Sequence, residues 1–221
     1  MPFITGEDAK TVRDILAQLP RKVKLVYFTQ ELECQYCNET LRLLEEIKEL
    51  GNGNIELEIY NFLNDKELSE KYKIDKIPAT IVMNNEKDYG IRLYGIPSGY
   101  EFSTLLEDIQ MVAKGEPEVT EETKINIAKI SQPLRLQAFI TPTCPYCPSA
   151  VLLAHKLAML NENIVADMVE ATEFPQLSMR YQVQAVPRTM IGELDAIEGA
   201  LPESHFVQKI MEAYQRMFPD N

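Results

Sequence analysis

Four cysteines stand in this chain as two C-x-x-C pairs, Cys34 with Cys37 and Cys144 with Cys147, offset by 110 residues in a sequence of 221. No other feature restricts the fold as much, because a repeat at half the chain length is the mark of a duplicated unit. Laying one half on the other at the cysteines brings further residues into line. Tyr36 falls on Tyr146, Leu68-Ser69 on Leu177-Ser178, and Tyr72 on Tyr181; Asn54-Ile55 meets Asn163-Ile164 with a gap of one residue. Tyr72 precedes Pro78 by six residues, as Tyr181 precedes Pro187. From the first cysteine to this proline the distance is 44 residues in one half and 43 in the other. An ordered set of matches points to tandem duplication, with units expected at 1–116 and 117–221.

The join falls at 114–119. Gly115-Glu116-Pro117 closes one helical pattern, and Thr120-Glu121-Glu122 opens the next with a capping hydroxyl and acids that suit the helix dipole. So short a join predicts that the halves pack together.

Each half reads the same way. An amphipathic helix (7–19; 121–130) leads to a strand (23–28; 134–140), and the cysteine pair then opens a long helix. Leu41, Leu44, Ile47 and Leu50 give that helix its apolar stripe in the first half, with Gly51 as the stop. In the second half 151–160 is apolar on every side, which predicts a more buried helix. A strand (54–60; 163–169), a short helix ending at the matched tyrosine, the proline and its strand (79–83; 188–191), a turn at Gly95 or Gly199 and a last helix follow. This order predicts an α/β fold in which helices flank a mixed central sheet, twice.

Lys and Arg number 22 against 34 Asp and Glu, a net charge of −12 and a pI near 4.7. Such a surface repels phosphates, so neither nucleic acid nor an anionic membrane is an expected partner. The N-terminus has no basic start followed by an apolar run, and the longest apolar stretch elsewhere, 150–154, is far too short to span a bilayer. A soluble, cytoplasmic protein is expected. Cysteine at about 2% is too sparse for a secreted disulfide scaffold.

The cysteines therefore read as chemistry. A thiol at a helix N-terminus faces unsatisfied N–H groups and the positive end of the dipole, which favour thiolate. A second thiol three residues on is one turn away and can resolve a mixed disulfide. Cys34 and Cys144 are the expected nucleophiles, Cys37 and Cys147 the resolving thiols. A docking module or a zinc site with four cysteine ligands is the alternative from another class. Such a zinc site needs the two pairs to converge although 106 residues separate Cys37 from Cys144, and no metal is expected.

Strand, C-x-x-C, helix and a later hydrophobic-Pro pair resemble the thioredoxin superfamily. Cys144-Pro145-Tyr146-Cys147 is the glutaredoxin form of the motif, and Ala185-Val186-Pro187 is close to its Thr-Val-Pro. Two such units in one chain are similar to the protein disulfide oxidoreductases of thermophilic archaea and bacteria. The resemblance implies two thioredoxin-like folds, dithiol–disulfide exchange with protein substrates, no cofactor, and often a flavin-dependent thioredoxin reductase as donor. It implies cis bonds at Ile77–Pro78 and Val186–Pro187, with the backbone before each proline pairing with an extended substrate segment. An ordinary turn proline is the plain reading. The twin-domain electron-relay portion of a flavin peroxide reductase is a further alternative, although relay portions of that kind typically keep one working pair.

The sequence departs from thioredoxin at the buried aspartate that takes the resolving thiol's proton. Tyr27 or Phe28 and Ala138 stand there. Glu58 and Asp167 share one column of the next strand and are candidate proton acceptors with raised pKa; a solvent-facing position is the other reading. Glu31 and Glu33 beside Cys34 predict a less acidic nucleophile there than at Cys144. Gln35-Tyr36 against Pro145-Tyr146 predicts different potentials, with Tyr36 and Tyr146 shaping the substrate surface. His155 and His205 read as helix-surface residues. Glutathione is not expected, since no double glycine follows either proline-led strand.

Overall fold

A computed structural model describes residues 2–84 and 87–219; Met1 and Asn221, the outer ends of the two expected units, lie outside the described residues. The first unit runs α1 (Gly6–Ala17), β1 (Val23–Thr29), α2 (Cys37–Leu50), β2 (Ile55–Asn61), α3 (Lys66–Lys71), β3 (Ala79–Asn84), β4 (Asp88–Tyr94) and α4 (Glu101–Lys114). The second repeats that order as α5 (Glu121–Ile127), β5 (Leu134–Ile140), α6 (Cys147–Leu160), β6 (Ile164–Glu170), α7 (Pro175–Arg180), β7 (Arg188–Ile191), β8 (Asp195–Glu198) and α8 (Glu203–Met217). In each, the cysteine strand pairs parallel with one neighbour and antiparallel with the proline-led strand, as the mixed-sheet reading expects.

The two sheets are continuous. Among the described residues the strand order is β2-β1-β3-β4-β6-β5-β7-β8, and the parallel pairing of β4 with β6 joins the units. A local requirement permits that join. Gly90 has φ +81°, and a Cβ there would lie 2.6 Å from the Ile164 carbonyl oxygen, so only glycine lets the strands meet. The linker is tied down as well. Gly115 ends α4 in the left-handed region, Arg21 donates to the Lys114 carbonyl, and the Thr120 hydroxyl caps α5 by accepting the Thr123 N–H.

Strand alternation assigns the two faces. Leu25, Tyr27, Ile91, Leu93, Ala138, Ile140 and Met168 pack with α1, α2, α4 and α6. Val26, Phe28, Ile81, Tyr94, Phe139 and Val169 form the core of the opposite face, under α3 and α7. The all-round apolar pattern of α6 has its cause in this layering. The helix is enclosed by the sheet, α4 and α5, with Val151, Ala154, Leu157 and Ala158 buried. His155 is buried there too, which corrects the helix-surface reading; His205 is exposed as expected. Gly51 also differs from expectation. Its φ is −71°, and positive φ falls on Asn52 and Gly53 instead. What requires glycine at 51 is the side chain of Ile55, which would lie 2.6 Å from a Cβ.

Candidate active sites

Both cysteine pairs lie beyond the C-terminal ends of their strands, β1 and β5, and each is closed as a disulfide, Cys34–Cys37 and Cys144–Cys147. The helices begin at the second cysteine of each pair. Tyr36 is the N-cap residue, since its carbonyl accepts the first helical bond from Thr40, and Tyr146 stands in the same place. Pro148, in the first turn of α6, has no N–H to lose. The order of exposure suits thiol exchange. Cys37 and Cys147 are buried, Cys34 is half-buried, and Cys144 keeps 8% of its surface. Four strand steps of about 4.8 Å separate β1 from β5, so the strands are roughly 19 Å apart. Two pairs so placed do not converge on one zinc ion.

The proline-led strands complete each site. Ile77–Pro78 and Val186–Pro187 are cis. The Cys144 sulfur lies 3.8 Å from the Val186 carbonyl oxygen, so this backbone faces the second disulfide directly. Behind each proline the same hydrogen bond recurs, from Gly95 N–H to the Pro78 carbonyl at 3.0 Å and from Gly199 N–H to that of Pro187 at 2.8 Å. Tyr146 is 70% exposed between its cysteines, while Tyr36 is half-buried.

The two strand carboxylates do not join the cysteines. Val26 pairs with Glu58, and Asp167 lies between Met168 and Ala166; both carboxylates project on the α3 and α7 face, whereas Cys144 and Cys147 pack on the other, as does Tyr27, which bonds the Cys37 carbonyl. Glu58 accepts from Lys24 at 2.6 Å and from Tyr60, and Lys24 holds its carboxyl below the usual range, the reverse of the raised value expected. Asp167 is fully buried, but its partner is Arg135 at 2.6 Å. Matching columns identified equivalent residues without telling which face of the sheet they occupy.

One acid that the sequence reading did not single out is buried on α4. Glu101 opens α4, is fully buried, and accepts from the Thr104 hydroxyl at 2.6 Å. Burial raises its carboxyl to about 7, while Thr104 and His155 oppose the shift and Asp108 adds to it. Its Oε1 has no hydrogen-bond partner among the described residues. The helix start is docked on the segment before Cys144, through Tyr100 N–H to the Pro142 carbonyl at 3.0 Å. A Cβ on Gly99 would lie 2.2 Å from that same oxygen. Along the same helix, Asp108 bonds His155 Nδ1 at 2.8 Å, both fully buried. In the first unit the inner cysteine meets Tyr27, whose hydroxyl donates to the Cys37 carbonyl at 2.7 Å. Nothing in the sequence marked Glu101, which resembles an ordinary acid in the first turn of a surface helix.

Comparison with known proteins accords with this geometry. The family described as Thioredoxin domain matches residues 134–212. A protein disulfide oxidoreductase from Aeropyrum pernix superposes with a TM-score of 0.89 at 27% identity, covering 98% of this chain and 96% of that one. The chain is a tandem thioredoxin-fold protein. Two cysteine pairs on such folds make it a thiol–disulfide oxidoreductase. The fold also matches the F component of an alkylhydroperoxide reductase from Enterococcus faecalis, with a TM-score of 0.85 at 24% identity over 94% of this chain and 99% of that one. By sequence, the F component of the alkyl hydroperoxide reductase of a Staphylococcus epidermidis strain is 25% identical over 75% of this chain, which covers 31% of that protein. The chain spans 24% to 36% of the length of the curated relatives it matches. Among the described residues no helix is long and apolar enough to cross a membrane.

Proposed function

We propose that this oxidoreductase exchanges disulfides with protein substrates at two sites, one in each of the units 1–116 and 117–221. In the reducing direction the thiolate of Cys34 or Cys144 attacks a substrate disulfide, forming a mixed disulfide and releasing one substrate thiolate. Cys37 or Cys147, losing its proton, then attacks the outer cysteine's sulfur. The enzyme is left as a disulfide and the substrate as a dithiol, with two electrons transferred. The backbone at Ile77 and Val186 pairs with an extended substrate segment, beside Pro78 and Pro187, while Tyr36 and Tyr146 border it.

The observation that carries this reading is a C-x-x-C disulfide at the end of a strand, its inner cysteine buried and less exposed than the outer one, with a cis-proline opening the neighbouring strand, found twice. Reduction of insulin disulfides under dithiothreitol tests it: C34S/C144S should be inactive, and full activity in that variant would refute it. Protein dithiols and disulfides are the proposed partners, a thioredoxin reductase the proposed donor, and the cytoplasm the proposed location. The likeness to the F component of alkyl hydroperoxide reductases favours a second reading, an electron relay serving a flavoprotein. Two intact pairs weigh against it, and measuring the reduction potential of each site separates the readings.

A further inference from the structure

We infer that Glu173, a residue of the second unit, is a positioning residue for the first site: its carboxylate holds the Gly95–Ile96 turn against cis-Pro78, in the shape that receives substrate. This rests on the reading of Cys34 and Cys37 given above.

Successive amides of one turn are engaged. Gly95 N–H donates to the Pro78 carbonyl at 3.0 Å, and Ile96 N–H donates to Glu173 Oε1 at 2.7 Å. Turn and carboxylate are built against each other. Gly95 has φ +93°, and a Cβ there would lie 2.6 Å from Glu170 Cβ and 2.9 Å from Glu173 Oε1. Glu173 is itself anchored, its N–H donating to Glu170 Oε2 at 2.7 Å. It arrives from the turn after β6, the strand that joins the units by pairing with β4.

Among the described residues, no carboxylate is bonded to the matching turn of the second site. Gly199 makes the matching bond to Pro187, yet a Cβ there would meet nothing within 4 Å. The charges that line the cavity beside Glu173 are already paired, Asp75 with Lys76 and Arg135, Arg180 with Glu193. Glu173 thus has the Ile96 amide as its anchor, while Glu170 faces it as a like charge and Tyr27 lies within electrostatic reach. A hydrogen bond to an ionised carboxylate is about twice as strong as a neutral one, so protonation of Glu173 loosens the turn. Burial and Glu170 raise this carboxyl to about 7, against the pull of the Ile96 amide.

The test isolates the sites. In C144S/C147S, which keeps the first site alone, E173A should raise KM for insulin about tenfold, the loss of one charge-assisted hydrogen bond. E173Q retains an acceptor and should stay within about twofold. In C34S/C37S the same substitutions should leave the second site unchanged, although residue 173 belongs to its unit. An unchanged KM in the first background, or equal losses at both sites, overturns the inference. A readout independent of turnover is the Ile96 amide resonance in the full oxidised protein. It should titrate near pH 7 and cease to do so in E173Q; an amide that does not titrate also overturns the inference. A C144S/C147S protein with no turnover would instead sink the reading of the first site, and the amide would still decide the role of Glu173.

Discussion

Tyr27 and Ala138 hold the same register position in the two units, each paired with the threonine two residues beyond the cis-proline, Thr80 in one and Thr189 in the other. Their difference sets the surroundings of the two inner cysteines apart. Tyr27 fills its position with a ring and donates its hydroxyl to the Cys37 carbonyl, and burial pushes that phenol well above its usual range. Ala138 leaves its position almost empty and has no hydroxyl to offer the Cys147 backbone. Y27F should leave a buried carbonyl short of its donor and lower stability by about 1–2 kcal/mol. Urea unfolding of the oxidised protein measures it, and an unshifted midpoint would show that the hydroxyl contributes nothing.

Glu101 should make stability fall as pH rises through neutrality. Its folded carboxyl titrates near 7, against an ordinary value of 4.5. Between those values the folded chain binds more protons than the unfolded one, so unfolding becomes easier as pH rises, by up to roughly 3 kcal/mol. The stabilising effect of the bound proton is complete at low pH and lost above 7. Glu173, raised to the same region, adds a slope of the same sign. E101Q should therefore gain stability relative to the parent at pH 8 and not at pH 5, as read from urea midpoints. Equal pH dependence in the two proteins would remove Glu101 as the cause.

Much of the architecture was legible in the sequence because it rests on local patterns that occur twice. Strand, cysteine pair and proline recur at matched spacing, and both prolines are cis as the resemblance implied. Residues whose role depends on the contact between units were not legible. Glu101 and Glu173 acquire their surroundings only when β4 meets β6, a pairing that depends on Gly90 and that no motif announces. His155 shows an intermediate case. Ala154, Leu157 and Ala158 around it already described a helix without a wet face, and its burial followed from that pattern more surely than its polarity suggested. For Glu58 and Asp167 the alternation was readable, but the covering layer of each face was not.

Arg135 links the units through charge, and its loss should be costly. It donates to Asp167 at 2.6 Å and to Asp75 of the first unit at 2.6 and 3.1 Å. Asp167 is fully buried and its Oδ1 has no partner among the described residues, so R135M leaves a carboxylate in the interior without its cation. Breaking a buried pair from one side costs about 3–5 kcal/mol. Asp75 is half exposed and adds little. R135M/D167N should recover part of the loss, because the stranded charge is then gone. Thermal unfolding of the two variants decides it, and equal destabilisation would mean that packing of the arginine stem, not the ion pair, is what matters.

The acidic approach to the first site should hold its nucleophile back. Glu31 and Glu33 are exposed and lead directly into Cys34, whereas Thr141, Pro142 and Thr143 before Cys144 carry no charge. Like charge disfavours a thiolate, and at an exposed site the effect is a few tenths of a pH unit per residue that salt screens away. Comparing the two sites directly would mix this with burial, since Cys144 is nearly enclosed and desolvation raises a thiol. The comparison within one site is clean. In the C37S/C144S/C147S background, which leaves Cys34 as the single thiol, E31Q/E33Q should lower its titration midpoint at low ionic strength. The difference should vanish at about 1 M salt, where the screening length is about 3 Å. A shift that survives high salt would point to altered loop geometry, and no shift at low salt would mean that the two glutamates exert no field at the sulfur.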